Sequence, residues 1–283
     1  MFTFIRAKLN ICSLPHTATG EQVTHPSTWQ QLLESPGSND HIAQTYQDES
    51  FLLEAVGHYV RAGLQRDEGV VLIMRKAHWA ALVIRLEALG ADLSAAVGCG
   101  QVTSYDADEM LAAVLKDDTP GHGAHRQMVG NVIAELRRRF SRIRAFAEMA
   151  DILWSENRRD AAVELEKLWG ELARSGSFAL LCGYRVDLMD CAVYRGAFEA
   201  VCNSHTHLIP ARDYRRFDEA VNQASREVLD TSSVMMLESL AGRHKPRAEM
   251  PTGQTILHWL SLNMPRTAGR ILTRARTLYT TAA

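Results

Sequence analysis

Short apolar runs alternate with longer amphipathic segments along most of the chain, and this alternation predicts an α/β fold. Two stretches carry most of the signal. Gly69–Met74 (GVVLIM) is continuously apolar, as strands buried on both faces of a parallel sheet are. Residues 143–184 contain an apolar run, an amphipathic helix and a second apolar run, which together make one strand–helix–strand unit. We therefore expect a three-layer sandwich with a mainly parallel sheet, followed by a helical C-terminal extension.

The strand–helix–strand unit is the most informative stretch. Ile143–Met149 predicts a strand that ends in a carboxylate, and the polar break after it predicts a helix start with Asp160 as N-cap. Over residues 161–173 the apolar side chains recur at helical spacing. The charged residues of this helix are expected mostly on its other face: Glu164, Glu166, Lys167 and Glu171. Phe178–Tyr184 then predicts a second buried strand.

The chain divides into three predicted segments. Residues 1–39 are rich in proline and small polar residues and predict a flexible leader, with one possible short helix at Thr28–Glu34. Residues 40–212 carry the α/β domain and residues 213–283 the helical extension. The remaining predicted strands lie at 42–46, 69–74 and 101–105. Helices are predicted at 51–65, 77–89, 124–140 and 188–205, and another is predicted to begin at a cap, Asp106 or Asp108, and to end at 115. In the extension, helices are predicted at 215–240, at 254–263 and from Pro265 onward.

Composition narrows the class of protein. A net charge of −2 argues against strong overall attraction to nucleic acid or acidic membranes, although residues 241–283 hold seven basic residues and one acid. The five cysteines form no CxxC pair, which favours buried thiols in a reducing compartment. No apolar run of about 18 residues predicts a membrane span. The N-terminus carries too much charge for a signal peptide, so we expect a cytoplasmic protein.

The loop after the first strand does not suit a phosphate. Nucleotide-binding parallel sheets place a glycine-rich loop there so that backbone N–H groups reach the phosphates. Residues 46–50 read YQDES, with no glycine or lysine and with two carboxylates that would repel a phosphate. Neither GxxxxGK[ST], GxGxxG nor GxSxG occurs in the sequence. We therefore expect no enzymatic activity and no cofactor.

Five residues form the predicted small-molecule site at the carboxyl edge of the sheet, where open parallel sheets bind their ligands. They are His41, Tyr46, Arg144, Glu148 and Trp154. Glu148 ends a strand, as a functional carboxylate often does, but it could equally pair with a nearby arginine at the sheet edge. His41 could bind a ligand or simply cap the sheet.

Two further clusters each have a functional and a purely structural interpretation. Cys202, His205 and His207, with Cys191, are metal-ligand types at short spacing, but no second paired motif accompanies them, so we predict no metal. Arg266, Arg270 and Arg274 fall on one face of a helix and could contact nucleic acid, an acidic membrane or an acidic partner. We favour a solvated or partner-contacting face, which makes nucleic acid the lesser alternative.

Several separated motifs, in the same order, resemble the MEDS domain, the methanogen/methylotroph DcmR-type sensory domain. The motifs lie within about residues 38–212: Asp40-His41, Arg144–Met149, Ala161–Trp169, Phe178–Tyr184 and Cys202–His207. The resemblance implies a divergent relative of KaiC/RecA-like sheets that has lost the phosphate loop. It also implies a role in bacterial or archaeal signalling, with small, hydrocarbon-like molecules as the proposed input.

Three functional hypotheses remain open on the sequence. The first is a non-enzymatic cytoplasmic sensory module that binds a small, possibly apolar ligand and signals through its C-terminal helices to a partner or a second copy. The second is a residual nucleotide-binding, ATPase-like protein. The third is an interaction scaffold in which residues 213–283 contact a partner without any ligand. No helix-turn-helix, kinase or receiver motif is present, so any output would run through the extension.

Overall fold

The computed structural model describes residues 28–190, 192–194, 198–244 and 247–281. The helices are α1 (Thr28–Glu34), α2 (Glu49–Gln65), α3 (Lys76–Ala88), α4 (Leu93–Gly98), α5 (Ala107–Val114), α6 (His122–Arg137), α7 (Met149–Ser155), α8 (Arg159–Gly176), α9 (Phe198–Ser204), α10 (Tyr214–Val228), α11 (Thr231–Arg243), α12 (Thr252–Asn263) and α13 (Pro265–Thr281). The strands are β1 (His41–Tyr46), β2 (Gly69–Met74), β3 (Val102–Asp106), β4 (Leu115–Lys116), β5 (Thr119–Pro120), β6 (Ile143–Ala147), β7 (Ala179–Arg185) and β8 (His207–Ile209). None of these helices is long and apolar enough to cross a membrane.

Six parallel strands form one sheet in the order β3-β2-β6-β7-β1-β8. Because side chains alternate between the faces of a sheet, β1 contributes to two separate cores. Ile42 and Tyr46 pack with α1 to α4, whereas Ala43 packs on the face that α8 covers. The predicted three-layer α/β sandwich with a parallel sheet and C-terminal helices is confirmed.

The C-terminal helices share the core of the α8 face. Phe217 of α10, Leu257 of α12 and Ile271 of α13 belong to the same buried apolar cluster as Leu180 of β7. Burial of apolar surface is the main stabilising term in such a core, so the extension and the sheet stabilise each other. A deletion of residues 213–283 would expose this core.

The predicted helix at Thr28–Glu34 is present and packs on α2. Trp29 is 1% exposed and its indole N–H donates to the backbone oxygen of Arg212, 2.8 Å away. Residues 1–27 of the predicted leader lie outside the described residues.

Two predicted helices are wrong in extent. Residues 188–190 and 192–194 of the helix expected at 188–205 are not helical, because the side chains of Asp187 and Asp190 accept hydrogen bonds from backbone N–H groups two residues ahead and form turns instead. The described helix in this region is α9. The helix expected at 215–240 is divided into α10 and α11. Asp230 caps α11 by accepting from the backbone N–H of Ser233, so the chain restarts there.

Smaller differences concern short elements. The strand predicted to end at Met149 ends at Ala147, since Met149 opens α7. Asp160 lies in the first turn of α8, and Arg158 occupies the N-cap position. Helix α4, the β4–β5 hairpin and β8 were not predicted, because segments of two to six residues carry too little periodicity.

Arg144 ties α1 and α2 to the amino edge of the sheet. Its side chain is 1% exposed and pairs with the buried carboxylate of Glu68. It also donates to the backbone oxygens of Leu33 at 2.6 Å, Glu34 at 2.8 Å and Tyr59 at 3.2 Å. The ion pair neutralises the charge of this buried guanidinium, and the hydrogen bonds satisfy its N–H donors.

We expect Arg144→Ala to lower the free energy of unfolding by about 3–5 kcal/mol, because it leaves Glu68 buried without its main partner. Arg142→Ala is the matched control. Arg142 contacts the same carboxylate at 3.1 Å but is 51% exposed, so its loss should cost about 1 kcal/mol or less. Urea denaturation measures both values. Equal losses of stability would contradict the role assigned to Arg144 in holding α1 and α2 to the sheet.

Candidate functional site

The carboxyl ends of β1, β2, β6 and β7 meet at one edge of the sheet, and Glu148 lies at its centre. The Glu148 side chain is fully buried. Its Oε2 accepts from the backbone N–H of Arg75 at 2.7 Å, and its Oε1 lies 2.5 Å from Nδ1 of His78. This hydrogen bond raises the pKa of His78 in spite of the opposing effect of burial.

A second buried carboxylate, Asp151 of α7, extends this network. It accepts from the Arg75 guanidinium at 2.8 Å and from the backbone N–H of Arg185 at 2.7 Å. The Arg185 side chain lies 3.4 Å from the exposed Glu49. Burial, together with the nearby carboxylates, raises the pKa of the Tyr46 hydroxyl. The edge is therefore lined by paired charges.

The structure brings together only part of the predicted site. Tyr46 and Glu148 lie at the same edge, and Trp154 packs edge-on against Tyr184 with 6.0 Å between ring centroids. His41 and Arg144 do not belong there. His41 is the first residue of β1 and Tyr46 the last, so they lie at opposite edges, and Arg144 lies near the amino end of β6. Glu148 pairs with Arg75 and His78 instead of the arginines expected from the sequence.

The side chain of Asp48 caps α2. Its Oδ1 accepts from the backbone N–H of Ser50 at 2.9 Å. The cap lies in the loop after β1, the place where nucleotide-binding sheets put a phosphate.

His41 joins a different group of side chains, on the α8 face near the amino edge of the sheet. The group contains His41 of β1, Glu166 of α8, Cys182 of β7 and His205 before β8, and all four are buried. One potential ligand atom from each lies within 4.8 Å of the others. We call these four residues the buried cluster.

Helix α8 approaches β1 closely at the buried cluster. Gly170, one turn after Glu166, faces His41, and a Cβ at that position would lie 3.7 Å from His41 Nδ1. This close approach places the Glu166 carboxylate 3.0 Å from His41 Nε2. Glu166, predicted on the solvent face, is 1% exposed, and its contacts with His41 and Tyr184 offset the cost of burying its charge.

His41, His205 and Glu166 of the buried cluster each contact a polar group outside the cluster. His41 Nδ1 lies 3.1 Å from the backbone oxygen of Ser204, and His205 Nδ1 lies 2.7 Å from that of Val201. The Tyr184 hydroxyl donates to Glu166 Oε1. These contacts fix both imidazole rings and leave their Nε2 atoms pointing into the cluster.

The electrostatics set the charge states within the buried cluster. Burial lowers the pKa of His205 to about 3, so this imidazole is neutral. Burial alone would raise the pKa of Glu166, but the facing histidines and the Tyr184 hydroxyl lower it to about 2, so Glu166 is a carboxylate. Burial raises the pKa of the Cys182 thiol.

A groove between α8 and α9 leads to the buried cluster. Its volume is about 390 Å³, and Glu166, Gly170 and Ser204 lie in its wall. Three basic residues also line it: Lys167, Arg174 and Arg247.

The model of one known family matches this sequence. It is the MEDS model, described as "MEthanogen/methylotroph, DcmR Sensory domain", and it covers residues 40–206, which is more than half of the chain. The chain belongs to the MEDS family. A search of curated proteins found no match. The MEDS match spans the sheet from β1 to the start of β8 and includes all four members of the buried cluster.

Four of the five motifs by which the sequence resembles MEDS each supply one member of the buried cluster. Asp40-His41 supplies His41, and Ala161–Trp169 supplies Glu166. Cys182 comes from Phe178–Tyr184, and His205 comes from Cys202–His207. These segments are separate in the sequence, and the fold brings one potential ligand atom from each within 4.8 Å of the others.

The other predicted metal candidates do not join the cluster. Cys202 lies in the apolar core, where burial raises the pKa of its thiol to about 12. His207 faces the exposed Glu249 at 3.6 Å. Cys191 lies outside the described residues. The sequence did not identify Glu166 or Cys182 as site residues. Glu166 has charged neighbours on its helix, and Cys182 lies within an apolar run.

The basic stripe of α13 lies on the exposed side of that helix. Its opposite face is buried through Ala268, Ile271, Leu272 and Ala275. Arg274 pairs with Glu227 of α10, whereas Arg266 and Arg270 are exposed. The stripe is therefore compatible with a solvated or partner-contacting face, and contact with phosphate stays a prediction.

The His78–Glu148 contact predicts a pH-dependent stability. Since folding raises the pKa of His78, its charge stabilises the fold fully below the unfolded pKa of 6.5, and this contribution is lost as pH rises through the folded pKa. The difference in unfolding free energy between wild type and His78→Gln should therefore be largest in mildly acidic solution. It should shrink as the solution becomes alkaline, as urea titrations at several pH values can show.

The control for this measurement is His122→Gln, which removes a histidine that is 62% exposed and only 3.4 Å from Glu171. Exposed pairs contribute little, so its effect on stability should be small throughout. A His78→Gln difference that stays constant with pH would contradict the charged hydrogen bond.

Proposed function

We propose that this MEDS protein is a non-enzymatic, cytoplasmic sensory module in signal transduction or transcriptional control. It binds a small ligand at the carboxyl edge of the sheet, around Glu148, and signals through its C-terminal helices. Family membership supports the sensory role. The observation that carries the proposed route of signalling is a direct link between this edge and α13.

Asp187, just after β7, makes that link. Its Oδ1 accepts from the side chain of Gln47, which follows β1, at 2.6 Å. Its Oδ2 accepts from the Arg276 guanidinium of α13 at 2.5 Å. A ligand that moves the loops after β1 and β7 would therefore act on the last helix without an intermediate element.

The chemistry of the edge indicates what it would bind. Arg75, Arg185 and Glu49 line the rim around the buried Glu148, so a small polar ligand fits better than the apolar one expected from the resemblance. The capping carboxylate of Asp48 disfavours a nucleotide phosphate at α2. This cap therefore counts against the nucleotide-binding alternative at the first turn of α2.

The output surface lies in the extension. Helix α11 exposes three apolar side chains, Met235, Met236 and Leu240. Flexible thioether side chains adapt well to partner surfaces, which supports contact with a signalling partner. Ligand binding can shift this surface only if the ligand has different affinities for two arrangements of the helices.

Native mass spectrometry of the protein purified gently from its host tests the ligand site. We expect an additional organic mass that disappears on denaturation and is absent from Glu148→Gln, because the amide cannot reproduce the buried charge. Glu156→Gln, which changes an exposed carboxylate after α7, is the control and should retain the mass. An apo mass in wild type after screening of small polar compounds, or retention in Glu148→Gln, would reject this site.

Hydrogen exchange tests the link to α13 with two variants of the same helix. Arg276→Gln should accelerate exchange in residues 47–49 and 186–190, because it removes the bond to Asp187. Arg274→Gln breaks only the pair with Glu227 of α10 and should leave those loops unchanged. Equal responses in the two variants would contradict the proposed route.

A further inference from the structure

The buried cluster presents more acceptors than donors. His205 Nδ1 lies against a backbone oxygen, which can only accept, so Nδ1 carries the proton and Nε2 carries a lone pair. That Nε2 has no hydrogen-bond partner among the described residues and lies 3.4 Å from Glu166 Oε2. A lone pair facing a carboxylate among buried side chains is unfavourable unless a cation lies between them.

His41 repeats this arrangement. Its Nδ1 also faces a backbone oxygen, which directs Nε2 at Glu166 Oε2, 3.0 Å away, and at Cys182 Sγ, 3.4 Å away. The two imidazoles lie close together, with 4.0 Å between ring centroids. Two imidazoles, one carboxylate and one thiol therefore point to one small volume.

The separations suit tetrahedral coordination. Metal bonds of about 2.1 Å to nitrogen and oxygen place neighbouring tetrahedral ligands about 3.4 Å apart, and a bond of about 2.3 Å to sulfur makes the distances slightly longer. The distances between Glu166 Oε2 and its neighbours are 3.0 Å to His41, 3.4 Å to His205 and 3.8 Å to Cys182. All four ligand atoms lie within 4.8 Å of one another, so shifts of about an ångström bring them to one ion.

The groups behind the ligands also fit. Metal-binding histidines donate their second ring N–H to an oxygen, and ligating carboxylates accept a further hydrogen bond. His41 and His205 face the backbone oxygens of Ser204 and Val201, and Glu166 accepts from Tyr184. This outer arrangement holds both histidines in the tautomer that binds a metal.

We propose that His41, Glu166, Cys182 and His205 form a tetrahedral site for a divalent transition-metal ion of the zinc class. Two imidazoles, one carboxylate and one thiolate form a mixed ligand set that suits zinc better than calcium or magnesium, which require oxygen ligands. The groove between α8 and α9 supplies a path to the site, since Glu166 lies in its wall. The site lies at the opposite edge of the sheet from Glu148, so it does not depend on the proposed small-molecule ligand.

The metal site connects the sheet to the extension. Thr206 follows the ligand His205 and its backbone N–H donates to the backbone oxygen of His41 at 2.6 Å. The backbone oxygen of Thr206 accepts from Glu249, which leads into α12, at 2.7 Å. Metal binding therefore fixes the segment through which β8 holds the C-terminal chain.

Cobalt substitution of the full-length protein tests the site. The purified protein is treated with a chelator, dialysed and titrated with Co²⁺ or Zn²⁺ alone. We expect equimolar binding, intense visible absorption from tetrahedral Co²⁺ and a near-ultraviolet thiolate-to-cobalt band. Cys182→Ser should remove the thiolate band, and His205→Gln should reduce zinc affinity by more than about 100-fold, beyond the effect of losing an outer-shell partner.

Matched controls separate ligation from general damage to the core. Cys202→Ser changes another buried cysteine, and His258→Gln changes another buried histidine, and both should retain zinc binding and the cobalt spectrum. Tyr184→Phe removes the hydrogen bond to Glu166 and should weaken zinc by about 10- to 100-fold without altering the ligand set.

Three outcomes would overturn the site. They are wild-type protein that binds neither ion stoichiometrically, cobalt absorption without a thiolate band, and equal zinc affinity in Cys182→Ser and Cys202→Ser. If the wild-type protein binds neither ion, a proton shared between His41 and Glu166, and not a metal, balances the charge of the buried cluster. The cobalt spectrum of the wild-type protein tests the site by itself, so the test does not depend on variants that fold poorly. Retention of the organic mass in Cys182→Ser would show that the ligand at Glu148 is independent of the metal site.

Discussion

A charge that is taken out of water has to be neutralised by its surroundings, and three buried charges organise this protein. Arg144 holds α1 and α2 to the amino edge of the sheet through Glu68. Glu148 connects the ends of β2 and β6 at the carboxyl edge. Glu166 draws β1, β7 and the segment before β8 onto α8. Each charge joins elements that apolar packing alone would leave free to slide, since apolar contacts are non-directional.

The elements whose burial is uniform could be predicted from the sequence, and those that depend on local capping could not. Gly69–Met74 and Thr28–Glu34 have the predicted bounds, because one is apolar throughout and the other is a short helix that polar segments flank. The break between α10 and α11 depends on one carboxylate, Asp230, that accepts from the backbone. A periodic pattern does not register such a bond, although the sequence Asp-Thr-Ser-Ser at this position is a recognisable cap.

The candidate sites show a similar division. Tyr46 and Glu148 were predicted at the carboxyl edge because each ends a strand, and strand ends follow from hydrophobic runs. The buried cluster could not be assembled in this way. Its members come from two strands, a helix and a loop, and Glu166 has charged neighbours that predict a solvent face. The order of the strands, with β1 between β7 and β8, and the close approach of α8 to β1 bring the four side chains together.

The cap that Asp48 places on α2 has a consequence for the anions that this helix end can accept. The first turn of a helix attracts anions because its free N–H groups and its dipole act together. In this protein a carboxylate of the same chain already occupies that position. A phosphate at this position would have to displace the Asp48 carboxylate at an electrostatic cost. The first turn of α2 is therefore closed, by a residue of its own sequence, to the kind of anion that a free helix end attracts.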